Sequence, residues 1–175
     1  MAATLTTTVS GASSNSYVSV ADADAYFATT PRASQWEAVS TDDKANFLLE
    51  AMLWVENQNY MGSRATTTQA LEWPRIGGVG RRVLNTMTTS SLIDQRGREW
   101  VSTAIPPPVK DAQCEMALAL AINSAWQDDA YLSRTVSAGG TELQVATGRD
   151  LGALSKMARM KLSGLLLASR TLVKC

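Results

Sequence analysis

Apolar residues recur every three or four positions in four stretches of this chain, which predicts four amphipathic helices. The first begins after Ser19, a residue type that caps helices, and ends before Pro31. A short turn or helix carrying Trp36 follows it. The second predicted helix opens at Thr41 and runs to about Gln58.

The third predicted helix begins near Pro108 or Val109 and runs to about Trp126. The last runs from about Asp150, its predicted cap, to Ser169. Five residues at spacings of three and four form the apolar face of this last helix: Leu151, Leu154, Ala158, Leu162 and Leu165.

The segments between these helices differ in composition. Residues 1–16 are rich in Thr, Ser, Ala and Gly, which predicts a flexible lead-in. Residues 76–104 form a long glycine-containing loop with room for a hairpin. Alternation on either side of Gly139-Gly140 predicts a short hairpin between Arg134 and Thr147.

The predicted fold is therefore mainly α. It comprises a flexible N-terminal lead-in (1–16), a compact helical domain with a long loop or hairpin excursion (17–148), and a basic C-terminal amphipathic helical arm (149–175).

The composition is that of a globular protein, with 45% hydrophobic residues and 16 basic side chains that equal 16 acidic ones. A uniformly basic nucleic-acid-binding protein is therefore not expected. The chain has no histidine, which removes histidine-based triads, dyads and zinc sites, and its two cysteines do not make a disulfide framework. No signal peptide and no apolar run near the roughly 20 residues of a membrane span is evident. We expect no enzyme, no cofactor, no metal and no membrane partner.

The neutral total conceals a division of charge. From Arg149 onward six basic residues accompany one acidic residue, a net charge of +5, whereas the rest of the chain carries −5. The terminal helix, with Lys156 and Arg159, has three alternatives: it docks on its own domain, it is donated to a partner protein, or it binds a membrane or nucleic acid.

Three other patterns were weighed for chemistry. The run Gly77–Arg82 lacks the Lys-Ser/Thr of a nucleotide-binding loop, so a solvated loop tip is favoured over a phosphate site. Asp42-Asp43 and Asp128-Asp129 fit helix-end charge better than metal ligands. The long loop carries four arginines that are candidates to meet nucleic acid or a neighbouring subunit: Arg81, Arg82, Arg96 and Arg98.

Several motifs then follow one another between Tyr17 and Ala121. They are Ala23-Asp24-Ala25-Tyr26-Phe27, then Trp36, Asp43-Lys44 with Leu48, Leu49 and Ala51, Gly62-Ser63-Arg64, Gln69-Ala70-Leu71-Glu72-Trp73-Pro74-Arg75, and Ile105-Pro106 with Val109-Lys110, Ala112, Glu115 and Ala117. In this order they resemble the tailed-phage head–tail connector, or adaptor, proteins of the DnaT-like single-stranded-DNA-binding family. The stretch between Arg75 and Ile105 is longer and richer in Gly and Arg than expected of that family.

The resemblance implies a non-enzymatic structural protein of the virion neck, assembled in the host cytoplasm. Such a subunit forms a homo-oligomeric ring, usually twelvefold, under the portal protein. It helps to retain the packaged double-stranded DNA that passes through its lumen, and offers a docking surface to a neck or tail protein. The alternative is a single-stranded-DNA-binding replication accessory protein, against which the neutral charge balance argues.

Elementary chemistry suggests what the central motif does. Trp73 has a large ring to bury, Pro74 fixes the direction of the chain, and Arg75 has a guanidinium that reaches carbonyl or carboxylate oxygens. We therefore expect Trp73, Pro74 and Arg75 to anchor the long loop to the helical domain.

Overall fold

A computed structural model of the chain describes residues 3–77, 91–122, 132–138, 141–147 and 154–167, and for 132–138 and 141–147 it describes the backbone alone. Within this part of the chain there are five helices: α1 (Val20–Ala28), α2 (Ala33–Glu37), α3 (Thr41–Glu56), α4 (Pro107–Ile122) and α5 (Lys156–Leu162). Four of these helices, α1, α3, α4 and α5, lie in the regions where helices were predicted, and the short α2 carries Trp36. Both predictions are confirmed.

The same described residues also contain three two-stranded antiparallel sheets. The strands are β1 (Ser63–Arg64) with β2 (Arg75–Ile76), β3 (Ser91–Ile93) with β4 (Glu99–Val101), and β5 (Leu132–Ala138) with β6 (Thr141–Thr147). The prediction of a mainly-α fold is therefore wrong, because this is a mixed α/β fold. Strands β1 to β4 have only two or three residues each, too few to show a two-residue period in the sequence.

Local signals explain where the helices begin. The hydroxyl of Ser19 accepts a hydrogen bond from the backbone N–H of Asp22, whose carboxylate accepts one in return from the backbone N–H of Ser19. Helix α3 begins at Thr41 as predicted, and the hydroxyl of Ser40 caps it by accepting a hydrogen bond from the backbone N–H of Asp43.

Helices α3 and α4 pack against each other at the centre, and α1, α2 and α5 pack on α4. The core between them is mostly apolar, and its buried polar residues include the fully buried Gln113. Its amide donates to the carbonyl oxygen of Leu48 and to the hydroxyl of Ser16, and accepts from the backbone N–H of Tyr17. Because every polar atom of this amide has a partner, its burial is compensated.

The polar N-terminal segment is a hydrogen-bonded loop, in place of the flexible lead-in that its composition predicted. The side chain of Asn15 bonds to the backbone of Thr4 and Thr6, and the hydroxyl of Ser14 donates to the carbonyl oxygen of Thr8. The composition indicated exposed backbone, but in the fold the short polar side chains supply its partners.

The C-terminal helix is shorter than predicted. It begins after Ser155, whose hydroxyl accepts from the backbone N–H of Ala158, and ends at Leu162. The chain then turns and pairs with the segment after α3: the backbone N–H of Met61 donates to Leu165, 3.1 Å away, and that of Leu167 donates to Asn59, 2.8 Å away.

Candidate functional site

The Trp73-Pro74-Arg75 motif lies at the junction of α3, β1 and β2. The Trp73 ring is 1% exposed and meets the Tyr60 ring edge to face, with 5.2 Å between centroids. The Trp73–Pro74 peptide bond is cis. The Arg75 guanidinium donates to the carbonyl oxygens of Met61 and Gly62, over 2.8 and 2.6 Å, so it joins the two sides of this junction.

Gly62 is required for this junction. Its φ is +71°, in the left-handed region, and a Cβ at Gly62 would lie 2.2 Å from the carbonyl oxygen of Ile76. The backbones of β1 and β2 can approach as they do only because this residue has no side chain.

A buried carboxylate connects the motif to α3. Glu56 accepts hydrogen bonds from the Tyr17 hydroxyl and, at 2.8 Å, from the backbone N–H of Glu72, while the Tyr17 hydroxyl accepts from the backbone N–H of Trp73. Burial raises the pKa of Glu56 above its ordinary value, and burial beside Glu56 raises the pKa of the Tyr17 hydroxyl.

Charges around the motif are neutralised within the subunit. The carboxylate of Glu72 pairs with the guanidinium of Arg75 and, at 3.0 Å, with that of Arg64. In this structure the side chains of Trp73 and Arg75 are turned inward, where they hold segments of their own chain.

A second polar cluster forms the turn between β3 and β4. The buried carboxylate of Asp94 accepts four hydrogen bonds: from the backbone N–H groups of Arg96 and Arg98, the Arg98 guanidinium at 2.8 Å, and the Trp100 indole at 3.2 Å. Burial of Asp94 opposes its ionisation, but these four donors outweigh burial and hold the pKa of Asp94 below its ordinary value.

This turn is docked on the C-terminal segment. The Arg96 guanidinium donates to the Ser163 hydroxyl at 2.9 Å, and the side chain of Gln95 donates to the carbonyl oxygen of Leu166 at 2.6 Å. Gly164 sits under the turn: a Cβ there would be 3.3 Å from an Arg98 nitrogen and 3.5 Å from an Arg96 nitrogen. The structure thus brings Arg96 and Arg98 to the predicted terminal arm.

The apolar face of that arm is turned to its own domain. Leu154, Ala158, Leu162 and Leu165 are buried, and α5 packs on α4. This is the first of the three alternatives for the helix, and it leaves no apolar face of α5 for the portal. Of the predicted docking set, the residues that the structure describes leave Lys156 and Arg159 exposed. Three of the predicted site residues, Leu151, Arg81 and Arg82, lie outside the described residues.

Sequence reasoning missed the buried acids that organise these contacts. Glu56 and Glu115 are far along the chain from the groups that they hold, and a lone carboxylate in a helix gives no local signal of a distant partner. The partners of Asp94 lie in the same turn. For Asp94 the sequence did offer a signal, because a single acid there precedes Arg96 and Arg98 within one turn.

Two searches of the described residues concern other kinds of site. No group of three or more Cys, Asp or Glu side chains among them is placed to hold a metal ion. No helix in this part of the chain has the length and apolar character needed to cross a membrane.

Comparison with known proteins gives one match. A family model described as "Putative DnaT-like ssDNA binding protein" matches residues 1–169. No curated protein and no solved structure matches. The matched description names single-stranded DNA binding and says nothing of a head–tail connector, so it favours the alternative function over the connector function. Because the match spans nearly the whole chain, the protein belongs to this DnaT-like single-stranded-DNA-binding family.

Proposed function

We propose that the chain is a non-catalytic structural subunit that self-assembles as a head–tail connector of a tailed phage. It forms a ring, twelvefold in such adaptors, under the portal protein in the virion neck, after assembly in the host cytoplasm. The ring extends the channel for packaged double-stranded DNA and offers a surface to a neck or tail protein. The motifs between Tyr17 and Ala121 support this proposal through their resemblance to connector proteins.

The observation that carries the proposal is the β5–β6 hairpin. Its strands pair over seven residues each, and among the described elements they pack only against each other. An isolated two-stranded hairpin is at best marginally stable in water. We propose that a neighbouring subunit supplies the surface on which this hairpin packs.

The strand register divides the hairpin into two faces. Residues that are paired across the strands share a face, and successive pairs alternate between faces. One face holds the pairs Leu132 with Thr147, Arg134 with Val145, Val136 with Leu143, and Ala138 with Thr141, five of whose eight residues are apolar. The other holds only polar residues and one alanine: Ser133, Thr135, Ser137, Glu142, Gln144 and Ala146. The first face is suited to burial in an interface between subunits.

The test uses two matched double variants of the full chain. Val136→Ser with Leu143→Ser changes the apolar face, and Thr135→Ser with Gln144→Ser changes the next pair on the polar face. Assembly is measured by native mass spectrometry and by electron microscopy of mixtures with the portal protein. We expect rings from the wild type and the polar-face variant, and folded monomers from the apolar-face variant. Rings from both variants, or monomers from the wild type with portal present, would overturn the proposal.

A single-stranded-DNA-binding accessory role is the second candidate, and the family match favours it. Such a protein binds single strands in preference to duplex and does so without the portal. A monomer that binds single strands at least tenfold more tightly than duplex at physiological salt, and never forms rings, would favour this role over the connector.

A further inference from the structure

The solvent face of α5 carries a row of cations. Lys156, Arg159 and Ser163 are spaced by three and four residues, and Ser163 keeps helical torsions at the end of α5, so the three lie along one side. All three are exposed, whereas the buried Ala158 and Leu162 lie on the opposite side. The seven residue steps from Lys156 to Ser163 cover about 10 Å of helix.

The turn between β3 and β4 continues this row. The Arg96 guanidinium is bonded to the Ser163 hydroxyl, and nitrogen atoms of Arg96 and Arg98 both approach Gly164. Arg98 reaches the buried Asp94 with its Nε atom, while its side chain remains 43% exposed. Lys156, Arg159, Arg96 and Arg98 thus form one surface, here called the basic stripe.

Two carboxylates near the basic stripe, those of Asp94 and Asp111, are engaged by donors, whereas Glu99 beside Arg98 is exposed. Residues 151–175 contain no Asp or Glu. The carboxylate of Asp94 has no exposed surface and is engaged by four donors. Asp111 is paired with Lys161 at 2.9 Å, and the helical period places Lys161 about 140° from Lys156, away from the stripe.

We propose that the basic stripe binds the phosphodiester backbone of a nucleic acid. Each strand of a duplex carries one phosphate per about 3.4 Å of helix axis, so a row of about 10 Å laid along that axis corresponds to about three phosphates. Guanidinium groups bind phosphate oxygens bidentately, and the exposed edge of Arg98 is oriented by its bond to Asp94. Recognition is by charge and is independent of base sequence. The proposal goes beyond the connector function and holds whether the partner is the DNA of the channel or a single strand.

A triple variant that replaces three cations of the stripe with neutral glutamine tests the proposal: Arg96→Gln, Lys156→Gln and Arg159→Gln. These three side chains are exposed, and Arg98 is left unchanged because it ion-pairs with the buried Asp94. Anisotropy of a labelled single-stranded oligonucleotide, and separately of its duplex, is measured between about 50 and 200 mM salt. We expect the wild type to bind both, and the triple variant to bind at least tenfold more weakly. The slope of log affinity against log salt should fall by about 2 for the single strand, since each lost phosphate contact removes about 0.7.

Lys110→Gln is the control, because Lys110 is a cation of α4 that lies near Asp22 and is not part of the basic stripe. This variant should leave the affinity and the slope almost unchanged. Thermal melts check that the triple variant is folded. A wild type that binds neither oligonucleotide, or a folded triple variant with wild-type affinity and slope, would overturn the proposal. Ring formation is followed separately with the portal protein, so a stripe that fails this test leaves the connector proposal standing.

Discussion

At the scale of single residues, buried polar side chains fix segments that lack regular structure. Asp94 holds the β3–β4 turn through four donors, and the guanidinium of Arg75 holds the β1–β2 junction through carbonyl oxygens. In both cases a charged group makes the hydrogen bonds that strand pairing does not supply at that place. Losing one group should therefore loosen a whole segment.

Asp94→Asn tests this at two pH values. Because the pKa of Asp94 is lowered in the fold, its contribution to stability is present above the ordinary carboxyl value of 3.8 and is lost as the pH falls through the lower, folded value. We expect urea unfolding to show a loss of about 1–3 kcal/mol for Asp94→Asn at neutral pH. The difference from the wild type should shrink as the pH falls below that ordinary value. Glu37→Gln, an equal charge change at an exposed position, should have little effect at either pH. A pH-independent loss would contradict the assigned role of the ionised carboxylate.

Trp73→Ala tests the apolar half of the anchor. Removing a ring that is 1% exposed should lower the free energy of unfolding by about 3–5 kcal/mol. Thermal melts of dilute protein measure the effect. Leu53→Ala, at a position on α3 that is 61% exposed, is the control and should change the melting temperature little. Equal melting temperatures for the two variants would refute the burial of Trp73.

At the scale of elements, one buried carboxylate connects helices that lie next to each other. The carboxylate of Glu115 on α4 is 1% exposed and accepts both from the Arg32 guanidinium, which precedes α2, and from the Tyr26 hydroxyl of α1 at 2.6 Å. One buried carboxylate thus joins three helices.

Arg32→Ala should cost about 3 kcal/mol or more, because it leaves the Glu115 carboxylate buried without its cation. The double variant Arg32→Met with Glu115→Leu should recover most of this loss, since it removes both charges. Denaturant unfolding of the wild type, the single and the double variant measures both values. A double variant that is less stable than Arg32→Ala would show that the pair itself, rather than burial of an unpaired charge, is what matters.

At the scale of the whole molecule, the C-terminal segment belongs to the folded domain. Of the three alternatives for the predicted basic arm, the structure has the one in which it docks on its own domain, since α5 lies on α4 and the residues after α5 pair with the chain after α3. Its apolar face is inside the core and its basic stripe is outside.

Truncation before Ser155 should therefore destabilise the domain by about 4 kcal/mol or more, because it removes the two fully buried leucines Leu162 and Leu165. Circular dichroism melts measure the loss, and hydrogen exchange should report faster exchange at Gln95, whose N–H donates to Gly164. Within α5, Leu162→Ala should be destabilising and the exposed Met160→Ala should not. A truncated domain with the wild-type melting temperature would show that the arm is separable from the domain.

The sequence by itself determined the helices and the long hairpin. Their signals are local: apolar spacing over two or more turns, the Ser19–Asp22 cap, and alternation on both sides of a glycine pair. The sequence also indicated that the motif at Trp73 anchors its own chain. The tryptophan has a large ring to bury, the proline fixes the direction of the chain, and the arginine donates hydrogen bonds.

Only the tertiary structure decided the short sheets, the buried carboxylates and the basic stripe. Strands of two or three residues have no period to detect, and an acid such as Glu115 is recognised as buried only when its partner, 83 positions away, is in place. The stripe joins arginines of the β3–β4 turn to cations of α5, two segments that the sequence indicated separately. Charge clustering depends on distances through space, and these are set by the packing of α5 on α4 rather than by any neighbour along the chain.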